Sequence, residues 1–294
     1  MKLIKNIKHN ILDKYINISD KYQYLYILII FIIILLIYFI ITNIPKLIIS
    51  KNGFTSETDN KTYEKADKIV YCCWTGNNPM SDDRKRCYES ILKNIGVKVV
   101  LITPEKLNEY IKQDYPLHKS YEYLSYTHKA DYLRTYMMHI YGGGYTDIKQ
   151  TDYSWEPYFD VINNNTEKWA LGTTELGAAT VACNDNCDWV ADNWNKVIGN
   201  GSYIFKQQTP FTTEWFNKMN KLLDDKYEEL KKNPAQVPDD IPGKEITLPD
   251  GTTIISKYPV GWAEMLGGIF HPLCYKYHNK IIHALPPINT SHYR

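Results

Sequence analysis

Neither sign of charge dominates this chain. Its 294 residues carry 34 Lys and Arg against 33 Asp and Glu, a formal net charge of +1. No basic stripe of the kind that tracks a phosphate backbone is present, so no nucleic-acid partner is expected. Cysteine is scarce, at six residues. Cys183 and Cys187 frame CNDNC, which reads as a small disulfide loop or as half of a metal site. No second Cys or His pair at zinc spacing accompanies it, and unpaired buried thiols are the plain alternative. Also missing are His-Glu-x-x-His, Gly-x-Ser-x-Gly and the phosphate-binding Gly-x4-Gly-Lys-Ser/Thr, which sets aside zinc-protease, serine-hydrolase and nucleoside-triphosphatase chemistry. There is no internal repeat and no spaced carboxylate pair that would argue for a glycoside hydrolase. The abundance of Tyr, Ile, Asn and Lys reads as codon composition rather than as a carbohydrate-stacking surface.

Apolar length, by contrast, is plentiful at one place. From Tyr24 to Ile41 no side chain is charged, and with Thr42 to Ile44 the stretch reaches about 30 Å as a helix, the thickness of a bilayer core. Tyrosines stand at both ends, where the interfaces would lie. A cleaved signal peptide would have a shorter apolar region and a small-x-small site, which TNIPKLIIS does not offer. Residues 24–44 are therefore expected to be a signal anchor in a membrane, with a tail over 1–23, a polar stem over 45–66 and one domain over 67–294. Lys2, Lys5, Lys8, Lys14 and Lys21 before the span, against Lys46, Lys51 and Lys61 after it, favour a cytoplasmic N-terminus. The body is then expected on the exported side, in a Golgi- or ER-type lumen or its equivalent. Asn-x-Ser/Thr triplets at Asn60, Asn164, Asn200 and Asn289 permit that orientation without requiring it.

The body opens with KIVYCCWTG (68–76), an apolar run that ends in turn residues, as a buried strand does. SDDRKRCYESILKNIG follows, with Ser81 as a cap, acids in the first turn and glycine at the end, the punctuation of a helix. VKVVLIT is a second strand. Strand, helix, strand in this order implies a right-handed crossover and a parallel α/β sheet. A helix near 209–233, a loop over 234–252 and a short strand near KIIHAL complete the outline.

The informative segment is SYTHKADYLRTYMMHIYGGGYTDIKQTDYSW (125–155). On an ideal helix Ala130, Leu133, Met137 and Ile140 fall within roughly 80°, a buried stripe, and His128, Asp131 and Arg134 lie along its border. Those three can face a cleft, although Asp131 and Arg134 taken alone would pass for a surface i,i+3 pair. Gly142, Gly143 and Gly144 end the helix, and GYTDI then brings an acidic residue to the carboxyl end of a strand, where ligand crevices of open α/β sheets form.

DYLRTYMMHIYGGGYTDIK resembles the central signature of glycosyltransferases with an Asp-x-Asp sugar-binding region. That group includes α-1,6-mannosyltransferase-like, α-1,4-galactosyltransferase-like and capsular polysaccharide synthesis proteins. KIVYCCWTGNNPM is similar to their first strand and nucleotide loop. The resemblance implies an α/β, GT-A, Rossmann-like fold and transfer of a sugar from a nucleotide-sugar donor to a glycan or glycoconjugate acceptor, with retention. It implies Trp74, Asp131, Arg134, Gly143 and Gly144 as donor-binding residues and Asp147 at the diphosphate, directly or through a divalent metal.

One letter departs from the pattern: Lys149 stands where the second aspartate belongs. An ammonium group cannot ligate a cation and repels it. Three readings follow. Lys149 supplies the charge itself, or Asp147 holds Mn2+ or Mg2+ with help from His271 or Asp152, or the site is inactive and the chain is an anchored carbohydrate-binding or scaffolding protein. Glu264 and His271, in GWAEMLGGIFHP, are further expected members of the site, Glu264 as a catalytic residue and His271 as a metal ligand. Core packing is the rival explanation for Trp262 in the same stretch. Glu175, after a probable strand, is either a polar group beneath the sugar or a solvent-facing glutamate. On this reading Arg134→Ala weakens donor binding more than it alters stability.

Overall fold

The alternation of apolar runs is realised as a layered α/β body. The computed structural model describes residues 63–184, 187–248, 250–291 and 293. The order is β1 (Ile69–Cys73), α1 (Asp82–Asn94), β2 (Lys98–Ile102), α2 (Tyr126–Ile140), β3 (Gly143–Thr146), α3 (Glu156–Asn163), β4 (Ala170–Thr174), β5 (Ile198–Phe205), α4 (Pro210–Asp225), β6 (Glu245–Thr247), β7 (Thr253–Ile255), α5 (Gly267–Lys276) and β8 (Ile281–His283), with single-turn helices between some of them. Helix α1 starts where its punctuation predicts: the Ser81 hydroxyl accepts from the Arg84 amide at 3.2 Å, and Asp82 and Asp83 sit at the positive end of the dipole.

The six-stranded sheet has the order β2-β1-β3-β5-β4-β8. Strand β1 is parallel to β2 and β3, and β4 is parallel to β8, while β5 runs against both β3 and β4. The sheet is thus parallel-rich and Rossmann-like, but mixed where a wholly parallel one was expected. The reason lies in the β4–β5 connection, which contains only single-turn helices. Without a helix packed across the sheet, nothing imposes a parallel return. A second difference is the 234–252 stretch, expected as a loop. It enters a small antiparallel hairpin, β6 against β7, that turns through Gly251 at φ +85°.

Strand periodicity of two sorts the core into two layers. Tyr71, Tyr145, Ala170, Tyr203 and Phe205 point to the face covered by α2, α4 and α5. Val70, Cys72, Leu171 and Ile204 point to the face covered by α1 and α3. Helices α1 and α2, on opposite faces, lead to β2 and β3 on opposite sides of β1. The β1/β3 boundary is therefore a topological switch point, the place where such sheets open a crevice.

Helix α2 differs from its amphipathic reading. Asp131 through Ile140 are all buried, and Ala130 borders the crevice. His128 does not face the cleft. It is fully buried, its Nδ1 3.0 Å from the Ser125 hydroxyl and 2.9 Å from that of Tyr258. Gly142 (φ +64°) and Gly143 (φ +84°) turn the chain from α2 into β3, and a Cβ on Gly143 would stand 2.8 Å from the Ile69 carbonyl.

The tail, the anchor at 24–44 and the stem up to residue 62 lie outside the described residues, and no described helix is long and apolar enough to cross a membrane. Ala66, at the end of the expected stem, is already pinned to the body: its amide donates to Asn163 Oδ1 at 2.8 Å and its carbonyl accepts from Asn163 Nδ2 at 2.9 Å. Cys183 and Cys187 are joined as a disulfide, while Cys72, Cys73, Cys87 and Cys274 are free thiols.

Candidate functional site

At the switch point the ends of β1 and β3 and the beginning of β5 open onto a cavity of about 620 Å³. Trp74 lies just past β1, Asp147 just past β3, and Asn200 near the start of β5. The Asp147 amide donates to the Gly201 carbonyl at 2.9 Å, which ties the end of β3 to β5. Past β3 the chain bends, so that Ile148 packs into the α1-side core with an edge at the cavity, and Asp147 and Lys149 line the cavity beside it.

Arg134 is the hub. Its Nη2 lies 3.2 Å from Asp131 Oδ1 and 3.2 Å from Asp147 Oδ1, and its Nη1 donates to the Asn200 carbonyl at 2.8 Å. The guanidinium carbon sits 4.4 Å from the centroid of the Tyr145 ring, and the Tyr145 hydroxyl donates to Asp147 Oδ1 at 3.1 Å. Lys149 Nζ completes the cluster, 3.1 Å from Asp147 Oδ2. The side chains of Asp131 and Arg134 are only 4% and 8% exposed, so this is no surface pair.

The two carboxylates are held in opposite ways. Burial raises Asp131 to about 7, with Arg134 pulling down and Asp147 pushing up. Burial also raises Asp147, but Arg134 and Lys149, helped by hydrogen bonds from Lys149 and Tyr145, outweigh it and leave Asp147 below the usual carboxylate range. Asp147 is thus the anion of the pair, and Asp131 is near its titration point at neutral pH. Cys73 also lines the cavity, and burial pushes its thiol up to about 12, which disfavours the thiolate.

Of the residues expected from sequence, Trp74, Asp131, Arg134, Asp147 and Lys149 all line this cavity. Trp74 is steadied by its Nε1–H, which donates to the Asn78 carbonyl at 2.8 Å. Gly143 and Gly144 do not border the cavity. They are buried inside β3, paired with β5, and their missing side chains let β1 and Trp155 close over them. Glu264 is turned aside as well: its carboxylate lies 3.0 Å from Lys226 Nζ and accepts from the Gly261 amide at 2.9 Å.

His271 is not a cavity residue either. Its Nδ1 accepts from the Ala182 amide at 2.8 Å, which places its proton on Nε2, 3.4 Å from Glu175 Oε1. Glu175 in turn is neither solvent-facing nor in the cavity. Its side chain is 11% exposed and accepts from the Thr180 hydroxyl at 2.7 Å and the Leu176 amide at 3.0 Å. Trp262 goes the other way: it is 55% exposed at the cavity rim, not in the core.

The cavity also holds residues that the sequence reading passed over. Tyr145 had a signal, since it lies two positions before Asp147 on the same face of β3. Arg84, from α1, donates through Nη1 to the Ile148 carbonyl at 2.7 Å. Tyr293 lies between two cations, its ring centroid 4.7 Å from Arg84 Cζ and 5.1 Å from Lys149 Nζ. Neither Arg84 nor Tyr293 carries a local sequence signal for this position.

The donor set fits a divalent ion poorly. Both Asp147 oxygens already face cations, His271 and Glu264 are engaged elsewhere, and Asp152 accepts from Gln150 Nε2 at 2.7 Å on the surface. Among the described residues no group of three or more His, Cys, Asp or Glu side chains converges as a metal site.

With that geometry in place, comparison with known proteins adds one finding. Residues 36–166 match the capsular polysaccharide synthesis protein family. The matched stretch, somewhat under half of the chain, runs from before β1 to just past α3 and carries Trp74, Arg84 and the whole Asp131–Arg134–Asp147–Lys149 cluster. Over this stretch the chain is similar to a glycosyltransferase-like family of polysaccharide synthesis. No curated protein matches the chain significantly.

Proposed function

We propose that this chain is a glycosyltransferase that moves a sugar from a nucleotide-sugar donor to a glycan or glycoconjugate acceptor, with retention at the transferred carbon. The observation that carries this reading is the Arg134 hub, which fixes one ionised carboxylate and a lysine at a strand end beside a cavity of about 620 Å³. Such strand-end crevices at a switch point suit a nucleotide, and the matched family makes polysaccharide.

On this reading the base lies toward Trp74 and the diphosphate lies toward Arg134, Lys149 and Arg84. The bond between the sugar carbon and the diphosphate oxygen breaks with its electron pair going to that oxygen. A new bond forms to the acceptor hydroxyl oxygen, whose proton leaves to the departing diphosphate. The protein's main task is to meet the charge that grows on the leaving oxygens with groups already in place. Trp262, at the rim, offers an exposed indole face to an acceptor sugar. The GT-A assignment, the membrane anchor at 24–44 and an exported body belong to the same proposal. They accord with an enzyme that builds glycans at a membrane.

The test is a thermal-shift panel of nucleoside diphosphates and their sugars against the full-length chain. Stabilisation by one base family supports the reading and identifies the donor class. A chain whose melting temperature no member of the panel moves is not a nucleotide-sugar enzyme.

A further inference from the structure

We infer that the site holds the diphosphate with its own cations, Lys149, Arg134 and Arg84, and takes no divalent ion at Asp147. This rests on the nucleotide-sugar reading and concerns how that ligand is neutralised.

The first line of argument is what surrounds Asp147. Its Oδ2 faces Lys149 Nζ at 3.1 Å, and its Oδ1 faces Arg134 Nη2 at 3.2 Å and the Tyr145 hydroxyl at 3.1 Å. A divalent ion bound there would sit against two positive groups that already hold both oxygens of the carboxylate. Nor is a free second carboxylate at hand to offset this. Asp131 meets the same Arg134 Nη2 at 3.2 Å, and its side chain is only 4% exposed. Hard divalent cations take several oxygen ligands, and the two carboxylates of this cluster are both already engaged.

The second line is the placement of positive charge. Lys149 comes from the bend just past β3, Arg134 from α2 and Arg84 from α1, and all three line the one cavity. Arg84 is anchored on the carbonyl of Ile148, the residue between Asp147 and Lys149. The Tyr293 ring packs against both Arg84 and Lys149 and spaces their charges along one wall. Lys149 and Arg84 bring charge to the cavity wall, and Arg134, held by Asp131, Asp147 and the Asn200 carbonyl, adds a fixed positive charge behind them; together they form a receptor for a multiply charged diphosphate. Lys149 needs only to exchange one anionic partner, Asp147, for another, the phosphate. The lysine that breaks the Asp-x-Asp pattern then performs the metal's electrostatic task.

The experiment is calorimetric titration of the full-length chain, in mild detergent, with UDP, GDP, ADP and dTDP, first in EDTA and then with manganese. Wild type is expected to bind one of them in EDTA, with manganese changing its Kd by no more than about threefold. Lys149→Ala is expected to weaken that binding by about tenfold or more, and Lys149→Arg to retain it. Lys149→Asp, which restores two carboxylates, is expected to bind only once manganese is added. Wild-type binding that requires manganese overturns this inference and leaves the nucleotide-sugar reading standing. Lys149→Asp binding in EDTA as tightly as wild type also overturns it. No binding by wild type in either buffer overturns the inference and the reading together.

Discussion

Lys149 Nζ lies 3.1 Å from Asp147 Oδ2, so the lysine two residues after Asp147 is bound to Asp147 itself. The pair makes Asp147 an organiser of cations. Asp147→Asn keeps the shape and one acceptor oxygen but removes the charge that aligns Lys149 and Arg134. Donor turnover is expected to fall about 10²–10³-fold, while donor KM does not rise, because the cations remain. Steady-state measurement of diphosphate release separates the two parameters. A variant with wild-type kcat would remove Asp147 from the site.

Arg134→Ala is expected to cost about 3–5 kcal/mol of stability, since it leaves Asp131 and Asp147 buried without their shared partner. Here the expectation from sequence, that donor binding suffers more than stability, gives way. It treated Arg134 as a residue on a helix border, whereas the side chain is 8% exposed and bonded on three sides. Urea titration of the variant measures the loss, and a change below about 1 kcal/mol would contradict the hub.

Asp131 sets a pH dependence whose sign is fixed by its raised value. Its folded pKa, about 7, lies above the ordinary 3.8. The folded state therefore binds the extra proton, and this stabilisation is full below about pH 4 and is lost as pH rises through 7. Buried His128 and His139, both lowered to about 4 by burial, act in the opposite sense over the same range. The difference between wild type and Asp131→Asn isolates the carboxyl. Relative to wild type, the variant is expected to gain stability by a few kcal/mol between pH 4 and pH 8. A difference that does not change with pH would contradict a proton on Asp131.

Trp262→Ala is expected to raise acceptor KM about tenfold, with kcat and donor KM little changed, because stacking on an exposed indole binds substrate and transition state alike. An unchanged acceptor KM would leave the rim without its platform.

Much of this architecture was legible in the sequence where local rules suffice. Ser81 at a cap, the apolar runs of β1 and β2, and the glycines after α2 each specify their own conformation over a few residues. Asp131, Arg134 and Asp147 could be placed at one crevice from a helix border and a strand end, with Lys149 two residues on, whereas Trp74 was placed there by the family resemblance. What escaped depends on distant partners. The reversed direction of β5 follows from how β4 is connected to it. The burial of α2 on every side depends on what packs over it, which its own periodicity does not record. Glu175 and His271 meet across 96 positions, so neither stretch alone could show that they engage each other outside the Arg134 cavity. Tyr293 reaches Arg84 and Lys149 only through the path of the chain after β8.

The most direct test of the account is release of nucleoside diphosphate from a panel of nucleotide sugars by the full-length chain in EDTA, with Asp147→Asn alongside. The account predicts turnover of one donor by wild type in chelator and its loss in the variant. Turnover of no donor, with or without added manganese or magnesium, would contradict it.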